Sequence, residues 1–151
     1  MLRTRLSEAL KDALKSKDAR STATLRLISA ALKDRDIAAR SKGNYDGINE
    51  DEILQMLQSM IKQRRESITM YEQGGRLELA QQEQEEIVVI ERFLPRQMDV
   101  AEMEAAIDAL VTELGATGVK DMGRVMTALR EKFAGQMDFA KASGMVKARL
   151  S

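Results

Sequence analysis

The sequence predicts an all-α protein made of two unlike small helical domains joined near Pro95. Three observations lead there. Apolar residues recur at three- and four-residue steps through almost the whole chain, the spacing of one face of a helix. Aromatic residues make up only 3% of the 151 residues, so any core must come from Leu, Ile, Val, Met and Ala, a helix-forming set with weak strand signals. Pro95 is the sole proline. It lacks an amide hydrogen and turns the preceding residue away from helical geometry, so a helix reaching Phe93 should end there. Long helical patterns precede this point and shorter, glycine-punctuated ones follow it, which places the domains at 1–95 and 96–151.

Each element has its own signals. Leu2, Leu6, Leu10 and Ala13 form the stripe of a first helix, and Asp18, after the polar break Ser16-Lys17-Asp18, caps the second. The second helix carries Leu25, Ile28, Ala31 and Leu32 and runs to about Arg40, with Arg20, Arg26, Lys33, Arg35 and Arg40 spread along it. Ser41 to Gly47 reads as a mobile loop rich in turn formers. Asn49 and Glu52 have capping-box spacing and open a long third helix through Ile53, Leu57, Met60, Ile61, Ile68 and Tyr71. Lys62 to Glu66 interrupts its apolar stripe with charge, and Gly74-Gly75 stops it. A fourth helix spans about Leu77 to Phe93. Beyond Pro95, Asp99 and Glu102 repeat the capping-box spacing before a helix that Gly115 closes. The next helix begins near Asp121, and Asp138, after a turn at Gly135, caps the last.

Composition excludes several classes of chemistry. The chain has no cysteine and no histidine, which removes disulfides, thiolate nucleophiles, the usual zinc sites and imidazole acid–base catalysis. No metal or cofactor is expected. No apolar run approaches membrane-spanning length. The N-terminal segment is basic and amphipathic like an organelle transit peptide, but Glu8, Asp12 and Asp18 are out of character for one, so the expected location is cytoplasmic. The net charge is zero, which argues against bulk attraction to nucleic acid or membrane. It conceals an asymmetry: residues 1–42 carry +6 and residues 43–95 carry −6. Complementary faces on neighbouring antiparallel helices would account for this; a basic binding face is the alternative.

Two clusters stand out as candidate sites. Glu83 and Glu86 lie three apart on one helix, but a carboxylate metal helix would also need histidine, so a solvated acidic face is expected. The segment Lys120-Asp121-Met122-Gly123-Arg124-Val125-Met126 is less easily explained. Asp121 suits a helix cap, whereas Lys120 opposes the helix dipole by roughly 0.3–1 kcal/mol. Gly123 in the first turn costs about 1 kcal/mol relative to Ala. Either Gly123 admits a tight helix crossing with Lys120 simply solvated, or a partner approaches the backbone there.

Four stretches carry a family resemblance: Thr24-Leu25-Arg26-Leu27, Ile61 through Ile68 with its Lys62-Gln63-Arg64-Arg65 core, Phe93-Leu94-Pro95, and Lys120 through Met126. In this order and spacing they closely resemble the GatB/YqeY family, and the chain looks like a stand-alone YqeY-like protein over nearly its whole length. The resemblance implies an all-helical fold with two unlike domains joined by a partly helical linker. The C-terminal part is similar to the three-helix tail domain of the B subunit of the glutamine-dependent aminoacyl-tRNA amidotransferase, a module also appended to some glutaminyl-tRNA synthetases, where it helps hold tRNA.

That implies a tRNA-binding accessory protein of the aminoacylation or transamidation system, with an amidotransferase or synthetase as protein partner. Lys120 and Arg124 would contact backbone phosphates, joined by Arg130 and Lys132. The helix start at Asp121 to Gly123 would offer free amide hydrogens to a phosphate, and Arg64 and Arg65 would extend the surface. The alternatives are a protein-interaction adaptor and, as the family's naming implies, a carbon–nitrogen ligase using glutamine as amide donor. No residue of this chain is evident that would carry that catalysis alone. Where the family often has glycine after the aspartate of the last turn, this sequence has Asp138-Phe139, which predicts an altered turn.

Overall fold

A computed structural model describes residues 1–151. It contains seven α-helices, one short 3₁₀ turn and no strand. Contacts divide the chain into two compact units, Met1–Leu94 and Pro95–Ser151.

The first unit holds α1 (Leu2–Lys15), α2 (Ala19–Ser41), α3 (Glu50–Gln73) and α4 (Leu77–Glu91). α1 folds back on α2 through a three-residue turn in which Lys17 has φ 58°. The Asp18 carboxylate then accepts from the Ser21 amide (3.1 Å) and hydroxyl (2.7 Å), supplying the cap its sequence promised. α3 starts with a complete Asn49–Glu52 capping box and turns into α4 across Gly74-Gly75. α3 and α4 form the most extensive helix pair, and α2 lies against both. Leu25, Ile28, Ile53, Met56, Leu57, Ile87 and Ile90 fill the centre, each with almost no exposed surface. Burying each such side chain contributes about 1.5–3 kcal/mol.

The expected and observed boundaries differ at two places in this unit. α4 ends at Glu91, because the Phe93 and Leu94 amides bond three residues back, to Ile90 and Glu91, tightening the chain ahead of Pro95. The segment after α2 was expected to be a mobile loop, yet its far end is anchored. Ile48 is buried, its amide donates to Asp36 (3.0 Å) and its carbonyl accepts from Arg3 (2.9 Å). Arg3 in turn grips Asp36 with two 2.8 Å bonds. Gly47 lies against this pair at φ 86°; a Cβ there would come within 2.7 Å of both.

The second unit holds α5 (Val100–Leu114), α6 (Met122–Lys132) and α7 (Phe139–Leu150), each in contact with the other two. A complete Asp99–Glu102 capping box opens α5, and Gly115, at φ 63°, closes it. Met103, Ile107, Leu110, Val125, Leu129, Met137 and Val146 make the centre. Asp138 caps α7 by accepting from the Ala140 amide (2.9 Å) and the Lys141 amide (3.4 Å). The phenylalanine that follows therefore leaves this cap in place, and the Phe139 ring packs against the core.

Candidate nucleic-acid interface

The Lys120–Met126 segment forms a corner of the second unit. A 3₁₀ turn, Val119–Asp121, runs directly into α6. This corrects the expected role of Asp121. It sits in helical geometry (φ −90°, ψ −1°), and its side chain makes no cap bond to α6. Its carboxylate instead accepts from the Thr117 amide and from Arg124, both at 3.0 Å. Those two donors, the amide first, hold the Asp121 carboxyl below its usual range.

The amide hydrogens expected to be free at this helix start are partly consumed. The Asp121 amide donates to the Gly118 carbonyl, and the Met122 amide donates to that of Val119. Arg124 keeps over half of its side-chain surface exposed, but it is already paired with Asp121. Lys120 is exposed and forms no ion pair. Gly123 is exposed as well, and nothing lies within 4 Å of where a Cβ would stand. No helix of the unit therefore crosses closely at Gly123. What remains is a smooth, open backbone beside an unpaired lysine. Arg130 and Lys132 are exposed, but each leans over an aromatic ring, Arg130 at 6.0 Å from the Phe139 centroid and Lys132 at 5.9 Å from that of Phe133.

The two arginines proposed for the first unit behave differently from each other. Arg65 is exposed and lies 3.6 Å from Glu91. Arg64 is enclosed between α3 and α4, where its Nε donates to Glu86 at 3.0 Å and lies 3.9 Å from Glu83. Its Nη1 also donates to the Met60 carbonyl (3.2 Å). Arg64 is thus a structural cation and not part of an outer surface. Glu86 is correspondingly buried, which corrects the expectation of a solvated acidic face. Burial, and then the Glu86 charge, push the Glu83 carboxyl up despite Arg64. The signal for this cluster was present in the charges that interrupt the α3 stripe at Lys62 to Glu66, because a cation at a core-facing position needs an anion opposite.

The paired charge asymmetry also resolves differently from the complementary-face explanation. Of the cations in residues 1–42, Arg20 reaches the acidic segment, at 3.0 Å from Glu85 and 3.9 Å from Glu86, and the N-terminal amine meets Glu50 at 3.3 Å. Arg3 pairs within its own segment. Arg26, Lys33, Arg35, Arg40 and Lys42 form no ion pair.

No helix is long and apolar enough to cross a membrane.

A family model described as Yqey-like protein matches residues 3–150. Two proteins named "Altered inheritance of mitochondria protein 41, mitochondrial" are similar to this chain. The one from Eremothecium gossypii is 31% identical over 115 residues, 74% of this chain and 60% of its own length. The one from Lachancea thermotolerans is 29% identical over 151 residues, 96% of this chain and 76% of its own. The match thus spans 60% of the Eremothecium relative. Both names specify mitochondria, which overturns the cytoplasmic expectation. That expectation rested on acidic residues near the N-terminus and a default, neither of which reports a compartment. Because the family model covers the chain almost from end to end, the protein belongs to the Yqey-like family.

Proposed function

We propose that this is a tRNA-binding accessory protein of the aminoacylation or transamidation system, without catalysis of its own. The observation that carries it is the open Gly123 backbone beside the unpaired Lys120, on the segment that resembles the amidotransferase tail. A glycine that costs helix stability while no neighbour in its own unit comes near the place of a side chain is explained by a partner that comes close. In this reading the two units are separate domains, and the second is a three-helix module akin to that tail. Recognition is of phosphate and shape, with Lys120 and Arg124 leading and Arg124 exchanging Asp121 for phosphate. The compartment carried into the proposal is that of the relatives' names, the mitochondrion.

Labelled bulk tRNA titrated with the full chain at low and moderate salt tests this. Binding that weakens with salt, and weakens further in Lys120→Glu/Arg124→Gln, is the expected result. Absence of binding at low salt overturns it.

One observation favours a second reading, a protein-interaction adaptor. Between α2 and α3 lies a groove of about 620 Å³ floored by Ala31, Ala39 and Met60 and rimmed by charged and polar side chains, among them Asp34, Arg35, Lys42 and Glu52. A groove with an apolar floor and charged rims suits docking of an amphipathic helix. Co-purification of an amidotransferase or synthetase that survives Lys120→Glu/Arg124→Gln would favour this reading.

A further inference from the structure

Three of the unpaired cations of the first unit fall on one line. Arg26, Lys33 and Arg40 are seven residues apart along α2. Seven residues of α-helix fall about 20° short of two full turns and rise about 10.5 Å, so the three form a nearly straight stripe. All are exposed, and so are Ser29, Ala30 and Ile37 between them. Of the core-facing residues of α2, Thr24 and Ile28 lie on the opposite side and Leu25 on the flank. The only carboxylates of α2 are Asp34, about 100° round the helix from the middle of the stripe, and Asp36, about 60° from it on the other side, three residues after Lys33 and four before Arg40. Asp36 is already held by Arg3, although its charge is also felt by Arg40. The stripe is therefore a line of positive charge with small, hydroxyl or single apolar side chains along its crest and one carboxylate, Asp36, at its edge and already engaged by Arg3.

Nothing within the unit explains this line. Arg40 lies in the last turn, where a cation suits the helix dipole, but Arg26 lies in the middle of the helix and has no such reason. Charges about 10 Å apart on a wet surface barely feel one another at physiological salt, so the stripe neither stabilises nor threatens the helix. Its chemistry also limits what it can meet. A membrane-surface helix needs a broad apolar face, and this stripe offers Ile37 alone. A protein partner needs a buried apolar or aromatic anchor at its centre, which is absent here. Evenly spaced cations separated by Ser and Ala suit a regular polyanion that approaches closely, namely a phosphodiester backbone.

We propose that the outward face of α2, through Arg26, Lys33 and Arg40, is an RNA-backbone binding stripe, additional to the Lys120 surface of the second unit. It rests on the reading of this protein as an RNA binder and assigns the first unit its own share of the contacts. It gives sequence-independent affinity, because phosphates carry no base information.

The test is fluorescence anisotropy of labelled bulk tRNA with the full chain over a salt series, using four proteins: wild type, Arg26→Gln/Lys33→Gln/Arg40→Gln, the charge-conserving Arg26→Lys/Lys33→Arg/Arg40→Lys, and Lys120→Glu. Glutamine keeps helix propensity, and unchanged circular dichroism verifies the fold. The expected result is that the glutamine triple weakens binding about tenfold and flattens the log–log salt slope by roughly two to three, while the charge-conserving triple binds like wild type. If the glutamine triple binds like wild type while Lys120→Glu weakens binding, the stripe is overturned and the tRNA reading stands. If wild type binds no tRNA, the tRNA reading fails and the stripe with it. Phosphatidylcholine vesicles doped with phosphatidylserine are run in parallel. Binding to these alone, lost in the glutamine triple, also overturns the RNA assignment and gives the stripe to a membrane surface.

Discussion

Arg64 and Glu86 face each other across the α3–α4 seam, Nε to Oε2 at 3.0 Å, with side chains only 13% and 10% exposed. Neither charge is left to water, and Glu83 and Arg20 close the cluster from either side. A pair this enclosed gains little over apolar replacements, but loses much when one partner goes.

Arg64→Ala is accordingly expected to destabilise the protein by about 3 kcal/mol, because Glu83 and Glu86 are left as unneutralised neighbours. Urea unfolding checks this. Arg64→Met/Glu86→Leu should recover most of the loss. The Glu83 carboxyl is already pushed up, so the deficit of the single variant should shrink as pH falls toward the carboxylate range.

Asp36 makes a pH prediction of known sign. The bidentate Arg3 pair, then the Ile48 amide bond, lower its pKa from the ordinary value to about 2. A depressed carboxyl stabilises the fold above its unfolded pKa of about 3.9, and that contribution disappears as pH drops through about 2. Asp36→Asn should therefore be less stable than wild type at neutral pH, by about 1–2 kcal/mol for a partly exposed pair. The two proteins should converge between about pH 4 and pH 2, as thermal unfolding across that range would show.

Gly115→Ala isolates a backbone effect. Its φ of 63° is left-handed, yet nothing lies within 4 Å of the added methyl. The cost is conformational alone, about 1–2 kcal/mol, and should be read in a lower Tm without loss of the α5 capping box.

Gly123→Ala should act in the opposite direction on stability. Its φ is ordinary, the space is open, and helix propensity alone predicts a gain of about 0.5–1 kcal/mol. If the open backbone serves a partner, the same variant binds tRNA more weakly. A more stable protein with undiminished binding would remove the reason for assigning Gly123 to the interface.

Helix limits were readable wherever one residue decides them locally. Asn49–Glu52, Asp99–Glu102, Asp18, Asp138 and Gly115 each do in space what their spacing announced, because caps are satisfied within four residues. Arg64 was misread for the converse reason. Its partners lie about twenty residues away, and only the α3–α4 hairpin brings them together. Asp121 stands at the N-cap position of α6 but failed as a cap because the 3₁₀ turn gives it helical backbone geometry, and the Thr117 amide and Arg124 claimed its carboxylate. Gly123 could not be resolved from sequence, since a glycine at a helix crossing and one at an open surface are written alike. The α2 stripe was visible only as a charge excess; which face bore it depended on where Leu25 and Ile28 found their core.

The distribution of methionine has a chemical consequence. Met56 and Met137 are sealed in the two cores at 0% and 1% exposure, whereas Met70 stands 71% exposed on α3. Peroxide therefore reaches Met70, along with Met1 at 87% exposure, well before the core methionines and turns it into a polar sulfoxide where polarity is harmless, a change that reductases reverse. The same oxygen atom on Met56 would need the helices to part. Its appearance in a peptide mass map would record how often the first core opens.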